Sequence, residues 1–349
     1  MTNNIKLGSR RIGDGESVFI IAEAGVNHNG EMRIAKKLVD AAVASGVDAV
    51  KFQTFKTEKL TTKQADMAEY QKDQVKEHDS QFDMIKRLEL SYDSFVELKE
   101  YCDERGILFL STPHSVDAVD FLDSLMPAYK IGSGDLTNLP FLRMVALKGK
   151  PIFLSTGMAN LEEVREAVQT IREVGRNELV LLHCLTNYPA DIRDSNLRAM
   201  GTMKSEFGLP IGFSDHTMGT AASIAAVAMG ACVIEKHFTT DRNLPGPDHK
   251  ASLEPQQLTE LVGSIRDIEA ALGTGVKEPT EDEIKIRAIA RKSIVSVVKI
   301  RKGEEITTEM IDIKRPGDGI APKHYDDVIG KKAAREIQED CVLTWDMID

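Results

Sequence analysis

Eight short apolar runs, each handing over to a longer amphipathic pattern, constrain this chain more than any other feature. The runs VFIIAEAG, AVKFQTF, ILFLSTP, AYKIGSG, PIFLSTG, LVLLHC, PIGFSDH and CVIEKHF begin at residues 18, 49, 107, 128, 151, 179, 210 and 232. They are too short for core helices and nearly continuous in apolar residues, which is how strands buried on both faces read. Between them lie patterns such as MRIAKKLVDAAVASG (32–46), SYDSFVELKEYCDERG (91–106) and NLEEVREAVQTIREVG (160–175), each ending on a glycine suited to cap a helix. Strand–helix alternation repeated eight times predicts an α/β chain whose residues 1–273 form a (β/α)8 TIM barrel. An open doubly wound sheet is the competing fold. It is disfavoured because no Gly-x-Gly-x-x-Gly follows the first run.

The rhythm breaks once, between the second and third runs. Residues 60–90 (LTTKQADMAEYQKDQVKEHDSQFDMIKRLEL) are polar and charged. They read as an insertion on the exit of the second strand, either a solvated excursion or a substrate lid. After the closing helix pattern QQLTELVGSIRDIEAALG, residues 274–288 read as a polar linker. Residues 289–349 change character, with short β-rich runs and tight Gly turns that predict a small separate domain. A piece of that size buries little core alone and would gain from docking on another surface.

Composition narrows the class. Hydrophobic content of 42% and charged content of 28% suit a soluble globular protein, and a formal net charge of −11 argues against nucleic acid as a partner. The cysteines Cys102, Cys184, Cys232 and Cys341 lack Cys-x-x-Cys spacing, which favours reduced thiols and a cytoplasmic location. No run approaches the roughly 20 apolar residues needed to span a bilayer, so no membrane association is expected. The early run VFIIA is too short for a signal sequence.

Barrel enzymes carry their reactive groups where strands end and βα loops begin. Those positions hold Glu23, Lys51, Gln53, Ser111, Lys130, Ser133, Ser155, His183, Ser214, Asp215, His216, Glu235 and His237. Strand side chains alternate, so Glu235 and His237 share a face while Lys236 opposes them, and Lys51 shares a face with Gln53. Lysines, hydroxyls and Gly turns (IGSG, LSTG) gathered at one rim are equipped to hold a phosphate. The two histidines, with carboxylates nearby, suit a divalent metal such as Mn2+, Mg2+ or Co2+. Each residue also has an ordinary reading. A strand-ending lysine is commonly a salt-bridge partner, His183 beside Cys184 fits a packed histidine better than a ligand, and Ser111–Thr112 before Pro113 can be a simple turn.

Taken together, the motifs IAEAGVNHNG (21–30), VKFQTF (50–55), FLSTP (109–113), YKIGSGDLTNLP (129–140), LSTGMA (154–159), LLHCLTNYPA (181–190), GFSDHT (212–217), EKHFT (235–239) and GPDHKASLEP (246–255) resemble the sialic acid synthase family nearly end to end. Residues 289–349, with KRPGDGI (314–320), resemble that family's antifreeze-like SAF domain. The resemblance implies condensation of phosphoenolpyruvate with an open-chain N-acetylated hexosamine and water, with phosphate released by C–O cleavage. Lys51, Gln53, Lys130, Ser133, Ser155 and Ser214 match phosphoenolpyruvate-binding positions, and His216 and His237 match metal ligands. Glu23 and Glu235 match carboxylates that handle protons or orient water, so the implied catalytic set is Glu23, Glu235, His216 and His237. Asp135, Tyr188, Asp248 and Arg315 match the sugar side. The resemblance further implies a domain-swapped homodimer, in which Arg315 of one subunit reaches the sugar held by its partner.

Two departures touch the sugar side: Asp135 stands where some relatives have Glu, and Thr186 where some have Asn. N-acetylmannosamine, giving N-acetylneuraminate, is the leading acceptor on this reading. A 2,4-diacetamido-2,4,6-trideoxymannose, giving diacetyllegionaminate, is the alternative, because YQ…DSQFDMIKRLEL resembles legionaminate-type members. A non-catalytic ice- or carbohydrate-binding protein is the competing class, and the charge of KRPGDGI speaks against an ice-facing plane.

Overall fold

The computed structural model describes residues 4–67, 80–175 and 178–349. The chain divides into two compact units, Met1–Gly273 and Thr274–Asp349. The first unit opens with a hairpin, β1 (Ile5–Leu7) and β2 (Arg10–Ile12), paired antiparallel with Ile5 opposite Ile12. Eight parallel strands follow: β3 (Phe19–Gly25), β4 (Ala49–Thr54), β5 (Leu108–Pro113), β6 (Tyr129–Ile131), β7 (Ile152–Ser155), β8 (Leu179–Cys184), β9 (Ile211–Asp215) and β10 (Val233–His237). They are the eight apolar runs. Their hydrogen-bonded order is β5-β4-β3-β10-β9-β8-β7-β6, and β5 and β6 lie side by side, so the sheet is nearly closed into a barrel with helices outside.

Alternation along each strand splits the core in two. Outward-facing Ile20, Val50, Phe109 and Leu154 pack with Leu38, Leu98 and Val168 of the surrounding helices. Inward-facing Phe19, Ile21, Ala49, Leu110, Phe153, Val180, Leu182 and Val233 fill the lower barrel, joined there by Ile5, Leu7 and Ile12 of the hairpin. Fully burying each such side chain stabilises the fold by about 1.5–3 kcal/mol. The hairpin therefore closes the end at which the strands begin, and only the other end of the barrel interior is left for polar groups.

Helix boundaries follow local chemistry. The helices Met32–Ser45 and Tyr92–Arg105 both stop on a left-handed glycine, Gly46 and Gly106. Asn160 opens Leu161–Glu173 with a capping box completed by Glu163. A short helix, Thr57–Leu60, leads into the insertion, which contributes a second, Gln81–Leu88, and its stretch 68–79 lies outside the described residues. The segment 274–288 is more than a linker: a helix, Glu281–Ala290, occupies its second half. Thr280 and Glu283 form its capping box, a local signal that composition alone conceals. No helix among the described residues is long and apolar enough to cross a membrane.

In the second unit, β11 (Ser293–Ser296) and β12 (Ile311–Lys314) pair antiparallel. Around them 3-10 turns and isolated bridges enclose a core of Ile294, Ile300, Ile306, Ile311, Val328, Ile337 and Leu343.

Candidate active site

The inward rows that fill the lower barrel change character as they climb. Phe19 and Ile21 lead to Glu23, Ala49 to Lys51 and Gln53, Ala128 to Lys130, Phe153 to Ser155, and Val233 to Glu235 and His237. Because the side-chain period is two, the register that buries the apolar members aims the polar ones at the same axis. They meet in a cavity, open at its mouth, at the carboxyl ends of the strands. Eleven of the sequence-derived candidates line it: Glu23, Lys51, Gln53, Lys130, Ser133, Ser155, Tyr188, Ser214, His216, Glu235 and His237.

Two ammonium groups and two carboxylates form its floor. Lys51 Nζ lies 2.7 Å from Glu23 Oε2 and 3.7 Å from Glu235 Oε2, and Lys130 Nζ lies 3.4 Å from Glu235 Oε1. Lys51 also donates to Thr112 Oγ1 at 3.0 Å, and Lys130 to Ser155 Oγ at 2.8 Å. Ser214 Oγ donates to Glu235 Oε1 at 2.7 Å, and Gln53 Nε2 to Glu23 Oε1 at 3.1 Å. The two carboxylates differ in their support. Burial pushes Glu23 up to about 7, against the pull of Lys51 and with the push of Glu235. At Glu235 burial opposes ionisation too, but Lys130, Lys51 and the Ser214 hydroxyl outweigh it and hold the carboxyl well below its usual range. Burial pushes Lys130 down from its ordinary value with Glu235 opposing, whereas at Lys51 burial is outweighed by Glu23 and Glu235, which push it up. Two lysines thus face one firmly ionised acid and one acid poised to exchange its proton, and an anionic ligand bound there would hold both ammonium groups charged.

The hydroxyl wall is tightly set. Gly157 N–H donates to Ser133 Oγ at 2.9 Å. A Cβ at Gly157 would stand 2.2 Å from Thr186 Oγ1 and 2.8 Å from Ser133 Oγ, so only glycine allows this approach. Gly25 has a different reason. Its φ is 53°, at a register shift between Glu23 and Gly25 that turns β3 toward its loop.

Across the cavity the imidazoles of His216 and His237 lie 5.2 Å apart, ring centre to ring centre, in an edge-to-face pair. Tyr188 packs 4.1 Å from His216 and 5.4 Å from His237. His216 Nδ1 is hydrogen-bonded to the Leu185 carbonyl, which fixes the proton on Nδ1 and leaves Nε2 with a lone pair. His237 Nδ1 is buried without a hydrogen-bond partner, and burial first, then His216 and Lys51, hold this ring neutral. His237 is thus neutral with an orphaned buried nitrogen. At His216 burial is outweighed by Cys184 and the Leu185 carbonyl, which push the ring up from its ordinary value. A divalent cation would take the place of any proton on His216 Nε2. The donor set is small: the described residues hold no cluster of three or more His, Cys, Asp or Glu arranged for a metal, so water or substrate oxygens would complete the coordination.

The sugar-side candidates are less uniformly placed. Asp135 stands on the loop after β6, with Oδ2 4.0 Å from His114 Nδ1 and Oδ1 accepting from Asn138. Asp248 is buried and pushed up to about 6 by that burial, with His216 pulling the other way. Arg315 belongs to the second unit, directly after β12.

Several rim residues turn out to be structural. Asp215 and Lys236 face outward and form a fully buried pair at 2.9 Å. Asp215 also accepts from Thr217 and Ser223, and Lys236 donates to the Thr217 carbonyl. His183 is packed, as its sequence context favours, hydrogen-bonded to the Ser195 carbonyl at 2.8 Å and stacked on Phe213. Ser111 pairs with Thr54 Oγ1. Conversely, Thr112, His114, Cys184 and Thr186 line the cavity without having been among the site candidates. The signal for three of them was available: Leu110–Thr112–His114 and Val180–Leu182–Cys184 are in phase with the rows that carry Lys51 and Glu235.

The NeuB family matches residues 38–277, and the SAF domain matches residues 291–349. The chain belongs to the NeuB family. It is an enzyme of that family's type, a phosphoenolpyruvate-condensing transferase of the sialic and nonulosonic acid synthases. Among NeuB-family relatives, it is 47% identical to the N,N'-diacetyllegionaminic acid synthase of Legionella pneumophila over the full length of both chains. It is 46% identical to the enzyme of the same name from Campylobacter jejuni, covering 93% of this chain and 98% of the relative. A crystal structure of N-acetylneuraminic acid synthetase from Leptospira borgpetersenii, in complex with citrate, superposes with a TM-score of 0.73 at 35% identity, covering 82% of this chain and 97% of that one.

Proposed function

We propose that this NeuB-family enzyme condenses phosphoenolpyruvate with 2,4-diacetamido-2,4,6-trideoxymannose and water to give N,N'-diacetyllegionaminate and phosphate. The observation that carries the reaction is the meeting of Lys51 and Lys130 with His216 and His237 in one cavity. The acceptor rests on the two relatives named for that product, at 47% and 46% identity. N-acetylmannosamine, favoured from the motifs alone, is the comparison substrate.

In this reading Lys51, Lys130 and the hydroxyls of Ser133, Ser155 and Ser214 hold the phosphate and carboxylate of phosphoenolpyruvate. His216 and His237 would hold the divalent cation, Mn2+, Mg2+ or Co2+, which supplies Lewis-acid polarisation of the acceptor aldehyde. C3 of phosphoenolpyruvate forms the new bond to the aldehyde carbon, whose oxygen becomes a hydroxyl. Water adds to C2, and the C2–O bond to phosphate breaks, leaving the 2-keto acid. Glu23, poised near neutrality, takes one proton from the water and passes it to the new alkoxide, and the second water proton leaves with the phosphate as the ketone forms. Glu235, firmly ionised, holds both lysines and Ser214 in place. Tyr188, Asp135 and Asp248 stand on the sugar side.

The active unit is a homodimer in which the SAF domain of one subunit covers the barrel mouth of the other and brings Arg315 to the sugar. Exposed apolar side chains on the βα loops, Val116, Met158, Ile192 and Met218, support such a covering surface.

The test is phosphate release by purified enzyme. Turnover is expected only with phosphoenolpyruvate, a divalent cation and an N-acylated mannose together, with the diacetamido sugar giving the higher kcat/KM. Full activity in EDTA, or preference for arabinose 5-phosphate or erythrose 4-phosphate, would overturn the reaction. A higher kcat/KM on N-acetylmannosamine would overturn only the acceptor.

A further inference from the structure

His114 is the cavity residue that the reading above leaves without a task. It follows β5 directly, and its backbone N–H still donates to the Thr54 carbonyl at 3.1 Å, so the strand's alternation carries its ring inward. The ring is pinned edge-on by Phe55, with centroids 6.3 Å apart. Its Nδ1 faces Asp135 Oδ2 at 4.0 Å, while its Nε2 is buried and has no hydrogen-bond partner. A buried, unpaired polar atom costs roughly 1–3 kcal/mol unless something fills its valence, so this nitrogen lacks a partner that the protein does not supply.

The tautomer decides what that partner is. Burial first, then the charges of Lys51 and Lys130, keep the ring neutral down to about 4. A neutral imidazole has one N–H and one lone pair. The charge of Asp135, 4.0 Å from Nδ1 and so beyond direct hydrogen bonding, favours the proton on that side, while Lys51 and Lys130 favour a lone pair toward the cavity. Nε2 is then an acceptor. Phosphate and carboxylate oxygens, which offer only lone pairs at neutral pH, are repelled by it. Hydroxyl and amide N–H groups are drawn to it.

We infer that His114, oriented by Asp135, is a specificity-determining residue that accepts a hydrogen bond from an O–H or N–H group of the acceptor sugar and not from phosphoenolpyruvate. The inference deepens the synthase reading and depends on it. It also gives Asp135 a second task, as the group that sets the His114 tautomer.

Three substitutions separate the two ring nitrogens. His114→Gln puts an amide oxygen near the place of Nε2, His114→Asn keeps a polar atom only near the place of Nδ1, and His114→Leu keeps bulk alone. Steady-state kinetics of the full-length enzyme, varying each substrate in turn, should show the sugar KM raised about tenfold in the Asn and Leu variants. The phosphoenolpyruvate KM should stay within twofold, and the Gln variant should recover to within threefold of wild type. A merely structural histidine would shift both KM values together and gain nothing specific from Gln. Unchanged sugar KM in the Asn variant, equal damage to both substrates, or a Gln variant no better than Asn each overturn the assignment. Should the Leu variant fail to fold, the Asn–Gln comparison decides alone. A wild-type enzyme inactive on both sugars overturns the synthase reading and this inference together, whereas active wild type with an unaffected Asn variant overturns this inference only.

Discussion

At Gly157 a single methyl group decides whether the hydroxyl wall can exist. Its N–H holds Ser133 Oγ, and the nearest atoms to an added Cβ, at 2.2 and 2.8 Å, belong to Thr186 and to Ser133 itself. Gly157→Ala must therefore displace the serine assigned to phosphoenolpyruvate. Positional errors of about 1 Å near reacting groups cost on the order of 100-fold, so kcat/KM for phosphoenolpyruvate should fall by about 10- to 100-fold. The melting temperature, measured in parallel, should change little because the site is at the cavity surface. A variant with wild-type kinetics would show that the wall gives way without consequence. The carboxylates make the same point through charge: the same residue type rests near neutrality at position 23 and is held ionised at 235 because the second faces two lysines and a serine. Identity fixes little here without the neighbours.

Elements show how much of this was legible beforehand. The eight strands could be read because burial on both faces turns each into an unbroken apolar run, and all eight runs end in at least one group that lines the cavity. Period-two alternation also places Glu235 with His237 and sets Lys236 apart. Where the sequence reading stopped short, it did so at strand ends: Thr112 was weighed as part of a turn, and His114 and Cys184 sit one alternation step past Thr112 and Leu182, which the structure places inside. The helix Glu281–Ala290 escaped because almost all of it is exposed and no buried stripe betrays it. Tyr188 and Asp248 sit on loops, where no period exists, and only resemblance pointed to them. The β9–β10 boundary offers a test of element stability. Lys236→Met would leave Asp215 charged and buried without its partner, which costs about 3–5 kcal/mol in such settings. The double variant Lys236→Met/Asp215→Asn should recover part of that loss in a denaturant titration. If the single and double variants are equally unstable, the pair is not coupled as drawn.

For the whole barrel unit, acid should be the sensitive axis. His28 and His249 are held near 4 chiefly by burial. His249 uses both nitrogens, toward Thr239 Oγ1 and Asn29 Oδ1, and His28 Nδ1 accepts from the Gly30 N–H. Both pKa values are depressed on folding, so below an unfolded value near 6.5 the unfolded chain binds more protons than the native one. Their stabilising contribution is full above that pH, declines as pH falls, and is spent by about 4; for His28 the loss is on the order of 3 kcal/mol. Glu23 and Asp248, pushed up to about 7 and about 6 chiefly by burial, act in the opposite sense over this range, so the His28 part is read as a difference. From pH 6.5 to 4.5 wild type should lose melting temperature relative to His28→Asn, whose amide oxygen can still accept from Gly30. Equal slopes would remove His28 from the explanation. The hairpin β1–β2, finally, makes the barrel a blind tube. Whatever settles against Lys51 and Lys130 must depart by the door it used to enter, past anything lodged above it. A stoppered vessel enforces first in, last out: the deeper ligand is the committed one, and its release waits on the shallower.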